Sequence, residues 1–122
     1  MLLSTVRELV GAKVLCCEDK LDSIAVPNAY ACDLLSDILA FACAGTLLIT
    51  GLTHIQLMRT VHMLDVPAVL FVRGKVPSED VVRSASALGV PLLLTPMTMF
   101  EACGRLYAEG LSPCLVCRDR VF

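Results

Sequence analysis

Three short segments carry the residue types that could hold a ligand. Thr50-Gly51-Leu52-Thr53-His54 sets a glycine, two hydroxyls and an imidazole together. Arg73-Gly74-Lys75 puts two cations around another glycine, and Thr95 and Thr98 flank a Pro-Met pair. Each segment lies just ahead of a helix-forming stretch, and the unpaired backbone N–H groups of a helix start favour anions. Side by side they would suit a phosphate or a carboxylate. The same residues also have a plainer reading, with Thr53, Ser78 and Thr98 as helix caps and Arg73 and Lys75 as solvated cations. A further pair, Ser36-Asp37, interrupts an apolar helical stretch and faces either a cleft or partner, or solvent.

Catalytic equipment is not evident. Gly74-Lys75-Val76 lacks the upstream glycine of a phosphate-binding P-loop, and there is no Gly-x-Ser-x-Gly nucleophile turn. His54 and His62 are eight residues apart, whereas a helical zinc pair needs a spacing of four. Neither a metal nor a cofactor is implied, and the chain reads as a non-enzyme. Cys114-Leu115-Val116-Cys117 is a lone C-x-x-C after Pro113, and Cys16-Cys17 lacks the spacing to complete a tetrahedral site. A metal or redox accessory role through Cys114 and Cys117 is kept as an alternative.

The elements that must position these groups follow a repeat. Thr46–Thr50, Ala68–Val72 and Pro91–Thr95 are short apolar runs, each followed by a turn and an amphipathic helix. Strand, helix and parallel strand require a right-handed crossover. The expected fold is therefore a single-domain, parallel-sheet α/β sandwich, Rossmann-like, with its ligand edge at the carboxyl ends of the strands. Upstream, Thr5-Val6-Arg7-Glu8 has capping-box spacing for a short helix stopped by Gly11. Lys13–Cys17 reads as a first strand, and 18–28 as a loop. Asp33 reads as the N-cap of a helix running to about Cys43, with Leu35, Ile38, Leu39 and Ala42 facing inward. In later helices Leu57, Met58, Val61 and Leu64, then Val81, Val82, Ala85 and Leu88, then Phe100, Cys103, Leu106 and Tyr107 form the apolar stripes. Residues 112–122 are expected to be a C-terminal tail to a domain spanning 1–111.

Bulk composition excludes several roles. The chain has 122 residues and a net charge of −2, with its ten Lys and Arg scattered, no Trp and 5 % aromatics. Nucleic-acid grooves need basic tracks and stacking rings, so that class is set aside. No apolar stretch approaches the roughly 20 residues that cross a bilayer, and no secretory segment is evident. Hydrophobic residues make up 57 %, above the roughly 45–50 % usual for soluble domains. Burial of the excess between two copies makes a homodimer the expected state. The seven cysteines are odd in number, Cys43 and Cys103 sit in helical apolar patterns and Cys16 ends a strand-like run, so they read as reduced core residues of a cytoplasmic protein.

Four strings then carry a resemblance: Asp33-Leu34-Leu35-Ser36-Asp37, Thr50-Gly51-Leu52-Thr53-His54, Gly89-Val90-Pro91-Leu92-Leu93-Leu94-Thr95-Pro96, and Phe100-Glu101-Ala102. In order and spacing they resemble the DRTGG domain, similar to the N-terminal part of HPr kinase/phosphorylase. That domain also occurs in regulated family II pyrophosphatases and some phosphate acetyltransferases. The likeness runs from about Val6 to Leu111. Leu52-Thr53 stands where the Asp-Arg pair would fall, and only Gly74 survives of the Thr-Gly-Gly segment. The chain thus resembles a stand-alone variant without the kinase half. The resemblance implies a non-catalytic, dimeric regulatory module with an adenine nucleotide or phosphorylated metabolite as ligand class. Expected ligand contacts are Ser36, Asp37, Thr50, Thr53, His54, Arg73, Lys75 and Thr95. A protein-interaction subunit with an unused pocket, acting on an unknown protein partner, is the other alternative.

Overall fold

The computed structural model describes residues 1–114 of the chain. Its strands are β1 (Lys13–Cys16), β2 (Asn28–Ala31), β3 (Leu47–Thr50), β4 (Ala68–Phe71), β5 (Leu92–Leu94) and β6 (Ser112–Pro113). Its helices are α1 (Leu3–Val10), α2 (Leu35–Phe41), α3 (Ile55–Met63), α4 (Glu79–Leu88) and α5 (Met99–Ala108), with a 3₁₀ turn at Glu18–Lys20. The strands form one sheet in the order β1-β5-β4-β3-β2-β6.

Strands β2, β3, β4 and β5 pair in parallel, in sequence order, so the three intervening helices lie on one side. There Ile38 of α2, Leu57 and Val61 of α3, and Val81 and Ala85 of α4 pack on Leu48, Val69, Phe71 and Leu92. Helix α5 then returns across the opposite face, and Ser112–Pro113 pair in parallel with β2 at the far edge. Ala102 and Leu106 of α5, with Leu3, Val6 and Val10 of α1, cover Leu47, Ile49, Leu70 and Leu93. Side chains alternate across a strand, which is why Leu48 joins one cluster and Leu47 and Ile49 the other. All residues of β3 and β4 are buried, the pattern of central strands covered on both faces.

The α/β, Rossmann-like class holds. Strands β2 to β5 are parallel as expected, and β1 adds an antiparallel strand beside β5, with an irregularity between Val14 and Cys16. A strand not expected, β2, begins at the last residue of the expected loop; its sequence, Asn-Ala-Tyr-Ala, is too short and small-sided to announce itself. The capping box at Thr5 is unused, since α1 begins at Leu3 with Leu2 as N-cap. Its first N–H groups are instead met by the chain that follows β1: Leu3 N–H donates to Ile24 O (3.0 Å) and Ser4 N–H to Leu21 O (3.1 Å). Gly11 does stop α1, in the left-handed conformation (φ 60°), donating its N–H back to Arg7 O and Glu8 O.

The inward stripe assigned to α5 is corrected. Ala102 and Leu106 are buried, while Phe100 is 90 % and Tyr107 70 % exposed. Apolar residues at 99, 100, 102, 103, 106 and 107 span more than one helix face, so periodicity alone could not choose between them. Leu39 and Leu88 also turn outward. The cysteines are not all reduced: Cys43, just past α2, is disulfide-bonded to Cys114, just past β6. Pairing of β6 with β2 carries Cys114 to that position, where its N–H also donates to Ala29 O at 3.1 Å. Leu111 is buried, so the segment from 111 to 114 belongs to the packed structure.

Candidate functional site

The carboxyl ends of β2, β3 and β4 deliver three groups to one place. Asp33 follows β2, Thr50 and Gly51 end β3, and Arg73 follows β4. Asp33 was expected to cap α2, yet Leu34 is the N-cap residue and no side chain caps that helix. The Asp33 carboxylate reaches sideways along the sheet edge instead. Its Oδ1 accepts the Gly51 N–H at 2.6 Å and the Thr50 hydroxyl at 3.4 Å, and its Oδ2 accepts from Arg73 Nη1 at 3.1 Å. Cys32 helps to aim it, as its sulfur accepts the Leu34 N–H at 3.3 Å.

Gly51 is fitted to this cluster. A Cβ there would collide with the Arg73 guanidinium and stand 3.3 Å from Asp33 Oδ1. Arg73 thus lies against the bare backbone of residue 51, a close approach only glycine allows. Partial burial alone would raise the Asp33 pKa. The Gly51 N–H, the Arg73 guanidinium and the Thr50 hydroxyl outweigh it and hold the carboxyl below its ordinary value. The Arg73–Asp33 pair is itself about two-fifths exposed. Exposed ion pairs contribute only about 0.2–1 kcal/mol. The firmer bond is therefore the short, charge-assisted one from the Gly51 backbone.

The turn after β4 is shaped by two successive residues in the left-handed region, Arg73 (φ 59°) and Gly74 (φ 64°). Its backbone is bound to the end of β5, with Arg73 N–H to Met97 O at 2.8 Å and Gly74 N–H to Thr95 O at 2.9 Å. Leu52 N–H is taken by Thr50 Oγ1 at 3.1 Å. The backbone donors of these turns are thus engaged within the chain. What remains toward solvent are side chains: the Arg73 guanidinium, Lys75 and His54 are exposed.

The helix starts differ. Thr98 caps α5 as its spacing foretells, accepting the Glu101 N–H at 3.2 Å. Ser78 sits at the N-cap of α4 without a side-chain bond, and Glu79 and Asp80 already supply negative charge there. Thr53 does not cap α3. His54 occupies that position, makes no capping bond, and no acidic residue lies in the first turn. The start of α3 thus has neither a side-chain cap nor an acidic residue, a lack it shares with α1, whose first N–H groups are met by backbone carbonyls, and it opens directly after the Gly51–Arg73 contact.

The other expected site residues fall as follows. Thr95 is fully buried; its hydroxyl donates to Val10 O at 2.7 Å and accepts the Met97 N–H at 3.2 Å, so it ties β5 to the end of α1. Thr50 is likewise buried, with its hydroxyl used by Asp33 and Leu52. Ser36 is exposed and Asp37 half-buried in the first turn of α2. Cys114 is bonded to Cys43, and Cys117 lies outside the described residues. Burial pushes the Cys16 thiol up to about 11, so it stays protonated at neutral pH. No group of three or more metal-ligating side chains occurs among the described residues. Sequence reasoning missed Asp33 as part of the edge. Asp33 follows β2, one unit before Thr50 and two before Arg73, and because β2 itself carries no strand pattern, no sequence signal placed it there.

No protein-family model matches the chain, and no curated protein matches it. A solved structure does. The chain is similar to the CBS and DRTGG domains of the regulatory region of Clostridium perfringens pyrophosphatase, a crystal structure complexed with the activator diadenosine tetraphosphate. The TM-score is 0.70 at 18 % identity, over 94 % of this chain and 49 % of that one. The chain thus spans about half the length of that structure. At this identity the likeness is one of fold, and the fold is DRTGG-like. No helix among the described residues is long and apolar enough to cross a membrane.

Proposed function

We propose that this chain is a non-catalytic regulatory domain that binds a small anionic ligand at the carboxyl edge of its sheet. The observation that carries the reading is the start of α3: uncapped, without acidic residues, and adjoining the Arg73 guanidinium laid over Gly51. Arg73, Lys75 and His54 would meet the anion, with Thr53 and the α2 residues Ser36 and Asp37 at its margin. Thr50 and Thr95 act from inside, holding the strand ends in register. Asp33 is a resident anion, and a phosphate would compete with it for Arg73. The pair is weak enough for that exchange, because about two-fifths of it is exposed to solvent.

Adenine nucleotides and phosphorylated metabolites are the ligand classes proposed. The structural neighbour carries a nucleotide activator, which makes nucleotides the first to try. A homodimer would pass the signal on, since a domain without catalysis must bias a partner or its own assembly.

Thermal shift against ATP, ADP, AMP, diadenosine tetraphosphate, a sugar phosphate and inorganic phosphate tests the reading. A ligand at 100 times its Kd stabilises by about 2.7 kcal/mol, a rise of about 10 °C for a domain of this size. The expected result is such a rise with at least one nucleotide or sugar phosphate, lost in Arg73→Ala. No rise with any of them, or an equal rise in Arg73→Ala, would overturn it.

A further inference from the structure

Among the described residues, the face of the sheet crossed by α5 is covered only in part. Between α5 and the β2–β6 edge runs an apolar groove of about 500 Å³, lined in part by Ala29, Ala31, Ile49, Phe100, Gly104 and Tyr107. Phe100 and Tyr107, seven residues apart on one side of α5, stand in solvent at 90 % and 70 % exposure. Between them lies Gly104. Glycine in mid-helix is destabilising by roughly 0.5–1 kcal/mol relative to alanine. Among the described residues nothing requires it: its φ is not positive, and a Cβ there would meet no atom within 4 Å. A glycine that no intramolecular contact needs, between two exposed aromatic rings, suits the close approach of another backbone.

We infer that α5 is the contact helix of a symmetric dimer, packing antiparallel against the α5 of a second copy with the two-fold axis beside Cys103 and Gly104. The inference rests on the dimeric part of the reading above and is independent of the ligand at the carboxyl edge. The stripe is complementary to itself. In that arrangement Phe100 faces the partner's Tyr107, and Cys103 faces the partner's Gly104. An isologous contact needs this property, because both sides are the same surface.

Charge complementarity supports the same occupant. Glu101 and Arg105, both exposed, lie on one flank of α5, four residues apart. Neither is in an ion pair among the described residues. A two-fold between antiparallel helices brings like flanks together. At 1.5 Å rise per residue, Glu101 of one copy then stands within about 1.5 Å of the axial height of the partner's Arg105. Two symmetric ion pairs would frame the aromatic centre. Four rings of roughly 150–250 Å² each would contribute about 600 Å² after allowing for what is already covered. A standard interface of about 1,600 Å² would be completed by the helix flanks and the groove.

The test is the mass of the full chain across a concentration series by analytical ultracentrifugation, with folding checked by circular dichroism. Wild type is expected to be dimeric, and Phe100→Glu to weaken association at least 100-fold with an unchanged spectrum. Gly104→Ala is expected to move two readouts in opposite directions: the diluted monomer melts higher and the dimer dissociates at least 10-fold more readily. Glu101→Arg and Arg105→Glu should each weaken the dimer, and the two together should restore it. A monomer at every concentration would overturn the dimer and its surface together, leaving the ligand reading standing. A dimer indifferent to Phe100→Glu and Gly104→Ala would overturn this surface alone. Failure of the double exchange to restore association would overturn the antiparallel pairing.

Discussion

The two faces of the sheet are built from the same kind of residue and end up differently covered. On one, three helices lie over four parallel strands, and Phe71, Val69 and Leu48 are fully enclosed. On the other, α1 and α5 leave the β2–β6 flank as an open groove beside Phe100 and Tyr107. The cause is the path of the chain. Three successive crossovers of one hand supply a helix per strand on the first side, while among the described residues the second receives α1 and one return helix. The closed face is where a side chain contributes stability. The open face and the strand ends are where it can meet another molecule.

The largest effect that would break this contrast is on two phenylalanines. Phe71→Ala removes a fully buried ring and should lower the unfolding free energy by about 3–5 kcal/mol. Phe100→Ala, measured at dilution, should change it by less than about 0.5 kcal/mol. Urea denaturation of both variants provides the check. Comparable losses would mean that α5 is covered within the monomer.

A smaller contrast lies in the helix starts. Thr98 caps α5 through the Glu101 N–H, whereas Ser78 holds the equivalent position of α4 without a bond. Thr98→Ala should destabilise by about 1 kcal/mol, in the usual range for a used cap. Ser78→Ala should fall within about 0.5 kcal/mol. The thermal midpoints of the two variants, compared with wild type, separate them.

These starts also mark how far the sequence could be read. The three strand–turn–helix units were legible because their apolar runs are continuous and bounded by Gly or Pro. Their helices were legible because the polar gaps recur at helical spacing. Strand β2 was not, since four residues with two alanines carry no periodic pattern. The direction of β1 was not, because direction depends on which neighbour it finds. Thr50 and Arg73 meet at the carboxyl edge through Asp33, and Thr53, His54 and Lys75 follow the same two strands in the chain. Asp33 was hidden by a competing local rule: an Asp before a helix is ordinarily its cap, and here Gly51 and Arg73 offer its carboxylate better partners across the sheet. Thr95 looked like a ligand contact because its type suited one, and only burial reveals that its hydroxyl serves Val10.

The smallest expected effect, and the one that addresses the strand ends directly, is the pH response of Asp33. Its folded-state pKa is lowered, so the folded chain holds the charged form more strongly than the unfolded chain does. The resulting stability is fully present above the unfolded carboxyl value of about 3.9. It is lost as pH falls below that value and through the lowered one. Because the Arg73–Asp33 pair is exposed, the loss should stay under about 1 kcal/mol. Asp33→Asn should lower stability at pH 7 and flatten this part of the acid limb, whereas Phe71→Ala should shift the whole curve without changing its slope. Urea midpoints from pH 7 down to pH 2 for the three proteins measure both. An Asp33→Asn profile parallel to wild type would show that the carboxylate does not hold the strand ends together. The site would then rest on Arg73 and the α3 start alone.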